Sequence, residues 1–160
     1  MRIALLFNIL IYAGIGWMFN HYLFESHPLT REDLPREVQK AFSRLYPGAE
    51  IESYARKQKE GYDVYEFRFN LGQQHTEASF ADDGELVELE ERITSNDLPR
   101  DINLVIGTIF DRFEIRQAEK VVNRHQVYYE VKVRGAQNGR ESKFELHFSD
   151  DARLLEKYRI

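Results

Sequence analysis

The chain has 160 residues, enough for one compact domain or two small ones, and its 42% hydrophobic and 31% charged residues are those of an ordinary folded protein. Its formal net charge of -5 argues against nonspecific nucleic-acid binding, in which neutralisation of phosphates supplies most of the affinity. The absence of cysteine excludes disulfides, thiolate zinc sites and a cysteine nucleophile, although it names no compartment.

The amino-terminal segment is predicted to be a membrane-spanning helix. Residues 3–19 are apolar except for Asn8, and roughly 17 to 20 apolar residues is near the minimum for a membrane-spanning helix. Arg2 precedes the run and acidic residues follow it, which places the body outside the cytoplasm by the positive-inside rule. Residues 1–24 are therefore predicted to be an uncleaved inner-membrane anchor with a periplasmic body. A cleaved signal peptide and a buried helix of a soluble protein are the alternatives.

Residues 25–32 are predicted to be a polar linker, and a helix is predicted after it. Asp33 is a good N-cap, Pro35 suits a first helical turn, and the Pro-Gly pair at 47–48 is a stop signal. Alternation of period two then predicts antiparallel strands with one buried and one wet face. The inward side chains are predicted to be Tyr65, Phe67, Phe69, Thr76, Ala78 and Phe80, and later Val127, Tyr129, Val131, Val133, Phe144, Leu146 and Phe148.

Much of this pattern occurs twice. The tripeptide LPR at residues 34–36 returns at 98–100, and the pair EI at 50–51 returns at 114–115, both at a spacing of about 64 residues. Asp97 is the expected cap of the second helix. Repetition of this kind predicts two copies of one structural unit.

The predicted fold class is α+β, a tandem repeat of one helix plus a four-stranded antiparallel sheet, preceded by an N-terminal transmembrane or signal helix. The two units are predicted to span residues 33–92 and 93–160. Because one helix covers only one face of a sheet, the other face of each sheet is expected to stay open.

Four motifs of the first copy, DLP-x-x-V, YPGAEI, a YEF strand and F-x-DDG-x-L, together resemble the PepSY-like family, which is related to β-lactamase-inhibitor-protein-like folds. The resemblance extends over most of residues 33–160, and the second copy departs from it at 111–112 and at Ala152. It implies secreted or envelope-anchored, nonenzymatic proteins with binding, inhibitory or regulatory roles, and it carries the fold further than the function. The motif residues are Leu34, Pro35, Val38, Phe42, Tyr46, Pro47, Gly48, Ala49, Tyr65, Phe80, Asp83, Gly84 and Leu86.

The open sheet face is the predicted functional site, because tyrosine and arginine among mixed charges are typical of protein-binding surfaces. The alternative is a solvated face with cross-strand ion pairs. Strict alternation places ten residues there. The binding candidates are Tyr54, Glu66, Arg68, Glu77, Tyr128, Glu130, Lys132 and His147, with Ser79 and Glu145 on the same face.

No catalytic site, metal site or cofactor is predicted. His75, His125 and His147 lack the spacing of H-E-x-x-H, and the acidic pairs at 82–83 and 150–151 lack the EF-hand pattern. The sequence therefore predicts a nonenzymatic, membrane-anchored extracytoplasmic module. Its expected partner is an envelope protein or peptide, recognised through the open sheet face. Binding to nucleic acid is not expected. The alternative is an assembly subunit of a membrane complex that acts through its anchor, residues 3–24.

Overall fold

The computed structural model describes residues 27–59 and 61–160, which form one antiparallel sheet of nine strands. The strands are β1 (His27–Leu29), β2 (Glu50–Lys59), β3 (Tyr62–Leu71), β4 (Gln74–Phe80), β5 (Leu86–Ile93), β6 (Arg112–Asn123), β7 (Val127–Gln137), β8 (Arg140–Ser149) and β9 (Leu154–Arg159). They lie side by side in chain order. Two helices interrupt this meander, α1 (Arg36–Leu45) before β2 and α2 (Arg100–Ile109) between β5 and β6.

The predicted fold class is wrong. In place of an α+β tandem repeat of one helix plus a four-stranded sheet, the described residues form a mostly β protein with one continuous sheet and two short helices. The strands β5 and β6 join the halves, with partners running from Glu88↔Asn123 to Ile93↔Ala118. Side-chain alternation reports which face a residue occupies, but not which strand lies beside its own. The pairing of β5 with β6 was therefore invisible in the sequence.

The predicted transmembrane or signal segment, residues 1–24, lies outside the described residues. Within the described ranges, no helix has the length and apolar character needed to cross a membrane. The described part of the predicted linker is also more ordered than expected. Residues 27–29 form β1 against β2, and Arg31–Asp33 form a single 3-10 turn before α1.

Both helices pack against the same face of the sheet. Leu89 of β5 packs against the cluster under α1, and Ile93 of the same strand packs against the cluster under α2. Residues four apart on a strand share a face, so the two clusters lie side by side. Most of the sequence-predicted inward residues belong to these clusters, and Thr76 and Val127 are the exceptions. The buried members include Val38, Ala41, Phe42, Phe67, Phe69, Ala78 and Phe80 under α1, and Ile102, Ile106, Val131, Val133, Leu146 and Phe148 under α2.

The two predicted N-caps play a different part. The Asp33 carboxylate accepts hydrogen bonds from the backbone N–H and the hydroxyl of Thr30, at 2.9 and 2.7 Å. Asp97 accepts the same pair from Thr94, at 3.1 and 2.6 Å. The N-cap positions belong to the prolines that follow, and neither makes a side-chain cap. Each aspartate therefore closes the turn before its helix.

Candidate functional site

The candidate site is the sheet face opposite α1 and α2, here called the open face. Residues directly opposite on paired antiparallel strands share a face, which allows the face to be followed from β2 to β9. Its ionisable side chains are acidic in balance. They include Lys57, Lys59, Glu66, Arg68, His75, Glu77, Glu88, Glu90, Arg92, Glu119, Tyr128, Glu130, Lys132, Glu145, His147, Glu156 and Tyr158.

The open face is concave. Lys59 of β2 pairs with Glu88 of β5, and its Nζ lies 3.1 Å from Oε1 of Glu90. These strands are three positions apart, which is roughly 14 Å in a flat sheet, so the sheet must curl toward this face to bring the side chains together. On this face Glu66 and Val121 are only 1% and 0% exposed, although the helices pack on the other face.

Seven of the eight predicted binding residues lie on the open face. Register places Arg68 directly opposite Glu77, and Glu130 directly opposite His147. The cross-strand ion pairs of the alternative interpretation are also formed. The seven residues are Glu66, Arg68, Glu77, Tyr128, Glu130, Lys132 and His147.

Tyr54 is the exception, and its predicted placement is wrong. A β-bulge between Ile51 and Ser53 inserts one residue into β2 and reverses the alternation beyond it. Tyr54 therefore stands opposite Phe67 on the helix-covered face, with ring centroids 5.3 Å apart. Counting by twos from the apolar Ile51 carries Tyr54 to the wrong side of the sheet.

One cluster on the open face surrounds Glu66. Its Oε2 lies 2.6 Å from Nζ of Lys57, and its Oε1 lies 3.4 Å from Nε of Arg68. Arg68 also reaches Glu77, with Nε 3.2 Å from Oε1. Burial and the nearby negative charges of Glu66 and Glu90 raise the pKa of Glu77. Two cations thus hold the buried Glu66 carboxylate, and one of them is shared with Glu77.

A second group joins the two halves of the sheet around Lys59. Burial opposes the charge of this lysine, yet Glu90 and Glu88 together raise its pKa above the ordinary value. The Tyr128 hydroxyl donates to Oε2 of Glu88 at 3.4 Å. Burial, followed by the charge of Glu88, raises the pKa of Tyr128. This network ties β2, β5 and β7 together across the open face.

The third group, here called the His147 cluster, consists of His147 with Glu130, Glu145 and Glu156. Nε2 of His147 lies 3.1 Å from Oε1 of Glu145 and 3.7 Å from Oε1 of Glu130, while Nδ1 lies 3.5 Å from Oε2 of Glu156. Burial raises the pKa of Glu130 to about 7. The charge of His147 lowers this pKa, and the negative charge of Glu90 raises it further. Burial lowers the pKa of His147, but the hydrogen bond to Glu145 and the surrounding carboxylates outweigh it and raise the pKa.

Sequence reasoning missed several members of these groups. The alternation of Glu88 and Glu90 with Leu89 was available as a signal that both glutamates share a face. Lys59 lies beyond the bulge of β2, so its face could not be counted from the start of that strand. Glu156 follows another irregularity, between β8 and β9 at His147/Phe148. The members missed are Lys57, Lys59, Glu88, Glu90 and Glu156.

A cleft of about 340 Å³ lies at the end of the sheet where Lys59 and Glu88 meet. Its lining includes Arg56 and Arg124, which would attract an anion if they were free. Each is already paired, Arg56 with Asp63 and Arg124 with Glu85. These two arginines therefore do not make the cleft an anion site.

Comparisons with known proteins agree on the fold. A family model described as "Putative beta-lactamase-inhibitor-like, PepSY-like" matches residues 21–70 and 62–156. A Bacteroides eggerthii structure described as a "putative periplasmic" protein is 21% identical, with a TM-score of 0.65 over 79% of this chain and 89% of its own. A BLIP-like protein from Bacteroides fragilis is 20% identical, with a TM-score of 0.60 over 79% of this chain and 86% of its own. A DUF2874 family protein from Bacteroides uniformis is 19% identical, with a TM-score of 0.63 over 78% and 88%. Among curated proteins, none matches this chain.

Proposed function

Because the chain belongs to the β-lactamase-inhibitor-like, PepSY-like family, as its sequence motifs indicated, we propose that it is a protein-binding or inhibitor-like module and not an enzyme. Its partner is an envelope protein or peptide, and the open face is the recognition surface. We also propose that the body lies outside the cytoplasm, and the Bacteroides eggerthii protein that shares the fold supports this through its description as periplasmic. The observation that carries the proposal is the concave, charged face that neither helix packs against.

The shape and charge of this face favour a particular kind of partner. A concave sheet accepts a convex element, such as a protruding loop or a helix. Around His147 the face carries Glu119, Glu130, Glu145 and Glu156, and this half stays acidic in balance although Arg92 pairs with Glu119 and Lys132 with Glu145. A partner segment with lysine or arginine side chains beside an apolar residue would complement it.

The open face is also prepared for binding before a partner arrives. Arg68 is held by Glu66 and Glu77, and Tyr128 is held by Glu88. Side chains that are already ordered lose less conformational entropy on association, roughly 0.5 to 1.5 kcal/mol each for flexible ones. Arg68 keeps 45% of its side chain exposed, so it remains able to contact a partner.

The proposal is tested by site-specific photo-crosslinking in intact cells. A photoreactive residue at position 132 lies on the open face, where Lys132 is 36% exposed, and one at position 104 lies on α2, where Leu104 is 60% exposed. The open-face probe is expected to capture a discrete partner that the helix probe does not. The double variant Arg68→Ala/Tyr128→Ala should then reduce capture at least about tenfold, as expected when contacts of about 1.4 kcal/mol or more are lost.

The matched control is Lys40→Ala, which alters an exposed residue of α1 that pairs with Glu37 at 2.8 Å. It should leave capture unchanged. Equal capture by both probes, or a double variant that captures as well as the unaltered protein while folded, contradicts recognition through the open face.

A further inference from the structure

The His147 cluster brings together ligand atoms of the types that bind metal ions. One ring nitrogen of His147 and one carboxylate oxygen each from Glu130 and Glu145 all lie within 4.8 Å of one another. Glu145 and His147 are two apart on β8, and Glu130 is the cross-strand partner of His147 on β7. No sequence motif has this spacing, which is why the spacing of histidines along the chain predicted no metal site.

The separations match the coordination sphere of a small ion. Tetrahedral zinc has bonds of about 2.0 to 2.1 Å to imidazole nitrogen and carboxylate oxygen, which sets the ligand atoms about 3.3 to 3.4 Å apart. The measured separations from Nε2 of His147 are 3.1 Å to Glu145 and 3.7 Å to Glu130. Shifts of a few tenths of an ångström would bring these two pairs to the required spacing. The carboxylate oxygens of Glu130 and Glu145 lie within 4.8 Å of each other and would close on the ion as it binds.

A further feature orients the imidazole toward that position. Nδ1 of His147 faces Oε2 of Glu156 at 3.5 Å, and the hydroxyl of Tyr158 donates to the same carboxylate. Histidines that bind metals usually give their other ring N–H to a carboxylate, which sets the ring direction and the tautomer. His147 is 6% exposed, so packing also restricts the ring.

The local charge favours a cation with more than one positive charge. Three carboxylates surround one imidazole, so the cluster stays negative even when His147 is protonated. Lys132 lies 3.8 Å from Oε2 of Glu145, whereas Oε1 of Glu145 faces the imidazole. A divalent ion at Nε2 would replace one proton and add a further positive charge.

We propose that Glu130, Glu145 and His147 bind a divalent transition-metal ion of the zinc class, with Glu156 as a positioning residue. The imidazole nitrogen favours such an ion over calcium, which takes oxygen ligands. Three protein ligands leave a fourth tetrahedral position for water or for another donor. The site does not depend on the proposed protein-binding function.

The test is titration of the full 160-residue chain, stripped of metal, with Zn²⁺ by calorimetry and with Co²⁺ by visible absorption. One ion per chain is expected, with proton release on binding and the absorption of tetrahedral Co²⁺. His147→Gln should abolish the saturable signal, and Glu156→Gln should weaken binding roughly 10- to 100-fold. Glu145→Gln, at a less buried position, should also abolish it and serves if the His147 variant does not fold.

The matched control is His75→Gln. His75 lies on the same open face, 3.6 Å from Glu52 and 3.9 Å from Glu77, but outside the His147 cluster. It should bind zinc like the unaltered protein. Absence of saturable binding in the unaltered chain, or equal loss in the His75 and His147 variants, overturns the proposal and leaves the His147 cluster as an ion-paired clamp.

Discussion

Replacement of Phe42 by alanine removes the centre of the aromatic packing under α1. The Phe42 ring stacks on Phe67 with centroids 4.1 Å apart, and it meets the ring of Phe69 edge-on at 5.0 Å. Its side chain is 4% exposed. Replacement of a buried phenylalanine by alanine lowers the free energy of unfolding by about 3 to 5 kcal/mol. Each aromatic pair that is lost adds about 0.5 to 1.5 kcal/mol. The neighbouring rings belong to strands of a wide sheet, so the surroundings should relax only partially into the cavity. We therefore expect a loss of about 4 to 5 kcal/mol.

Ile106 provides the matched comparison in the other half of the protein. It lies 64 residues after Phe42 and is 0% exposed in the cluster under α2. Ile106→Ala should cost about 3 kcal/mol, because a smaller side chain is removed and no ring stacking is lost. The two variants thus measure how much each cluster contributes to the free energy of unfolding. They also test whether the two clusters unfold together through the pairing of β5 with β6.

Urea unfolding of the full chain, followed by far-ultraviolet circular dichroism and tyrosine fluorescence, measures both effects. Pairing of β5 with β6 predicts one transition for every probe, with a lower midpoint and an unchanged slope in each variant. A loss below about 1 kcal/mol for Phe42→Ala would refute the packing argument. Two separate transitions, with only one shifted in each variant, would refute the cooperative sheet.

Three further results are expected. Gly135→Ala should destabilise the protein by about 1 to 3 kcal/mol in the same urea assay, because an added Cβ would lie 2.5 Å from the ring of Phe110. The pKa values of Asp33 and Asp97 are lowered by hydrogen bonds from the threonines three residues before them, so their contribution to stability is present above the unfolded value and is lost as pH falls through the folded one. The double variant Asp33→Asn/Asp97→Asn should flatten the acid limb of a plot of melting temperature against pH, and an unchanged limb would contradict this. The pKa of Glu130 is raised to about 7, so the folded state keeps this proton to a higher pH than the unfolded state does. The free energy of unfolding should therefore fall as pH rises from about 4.5 to 7. Glu130→Gln should remove up to about 3 kcal/mol of that fall in unfolding measured with a chelator present, and an equally steep slope would argue against burial of this carboxylate.

Much of the local structure was determined by the sequence. The period-two pattern assigned Phe67, Phe69, Val131 and Leu146 to the buried face, because a strand turns successive side chains to opposite sides whatever its neighbours are. The same counting assigned seven of the eight candidate binding residues to the open face. The motifs of the first copy also led to the correct family. These inferences rest on interactions within one element or between adjacent residues.

The tertiary structure decided what depends on neighbours in space. A bulge in β2 carried Tyr54 to the helix-covered face, because one inserted residue reverses every position after it. Pairing of β5 with β6 joined the two four-stranded units in one sheet, and curl of the sheet brought Lys59 to Glu88 from a strand three positions away. Glu130 met Glu145 and His147 only because β7 and β8 align in that register. Alternation along the chain determines the face of a side chain, whereas strand order, register and curvature determine which side chains on that face can touch.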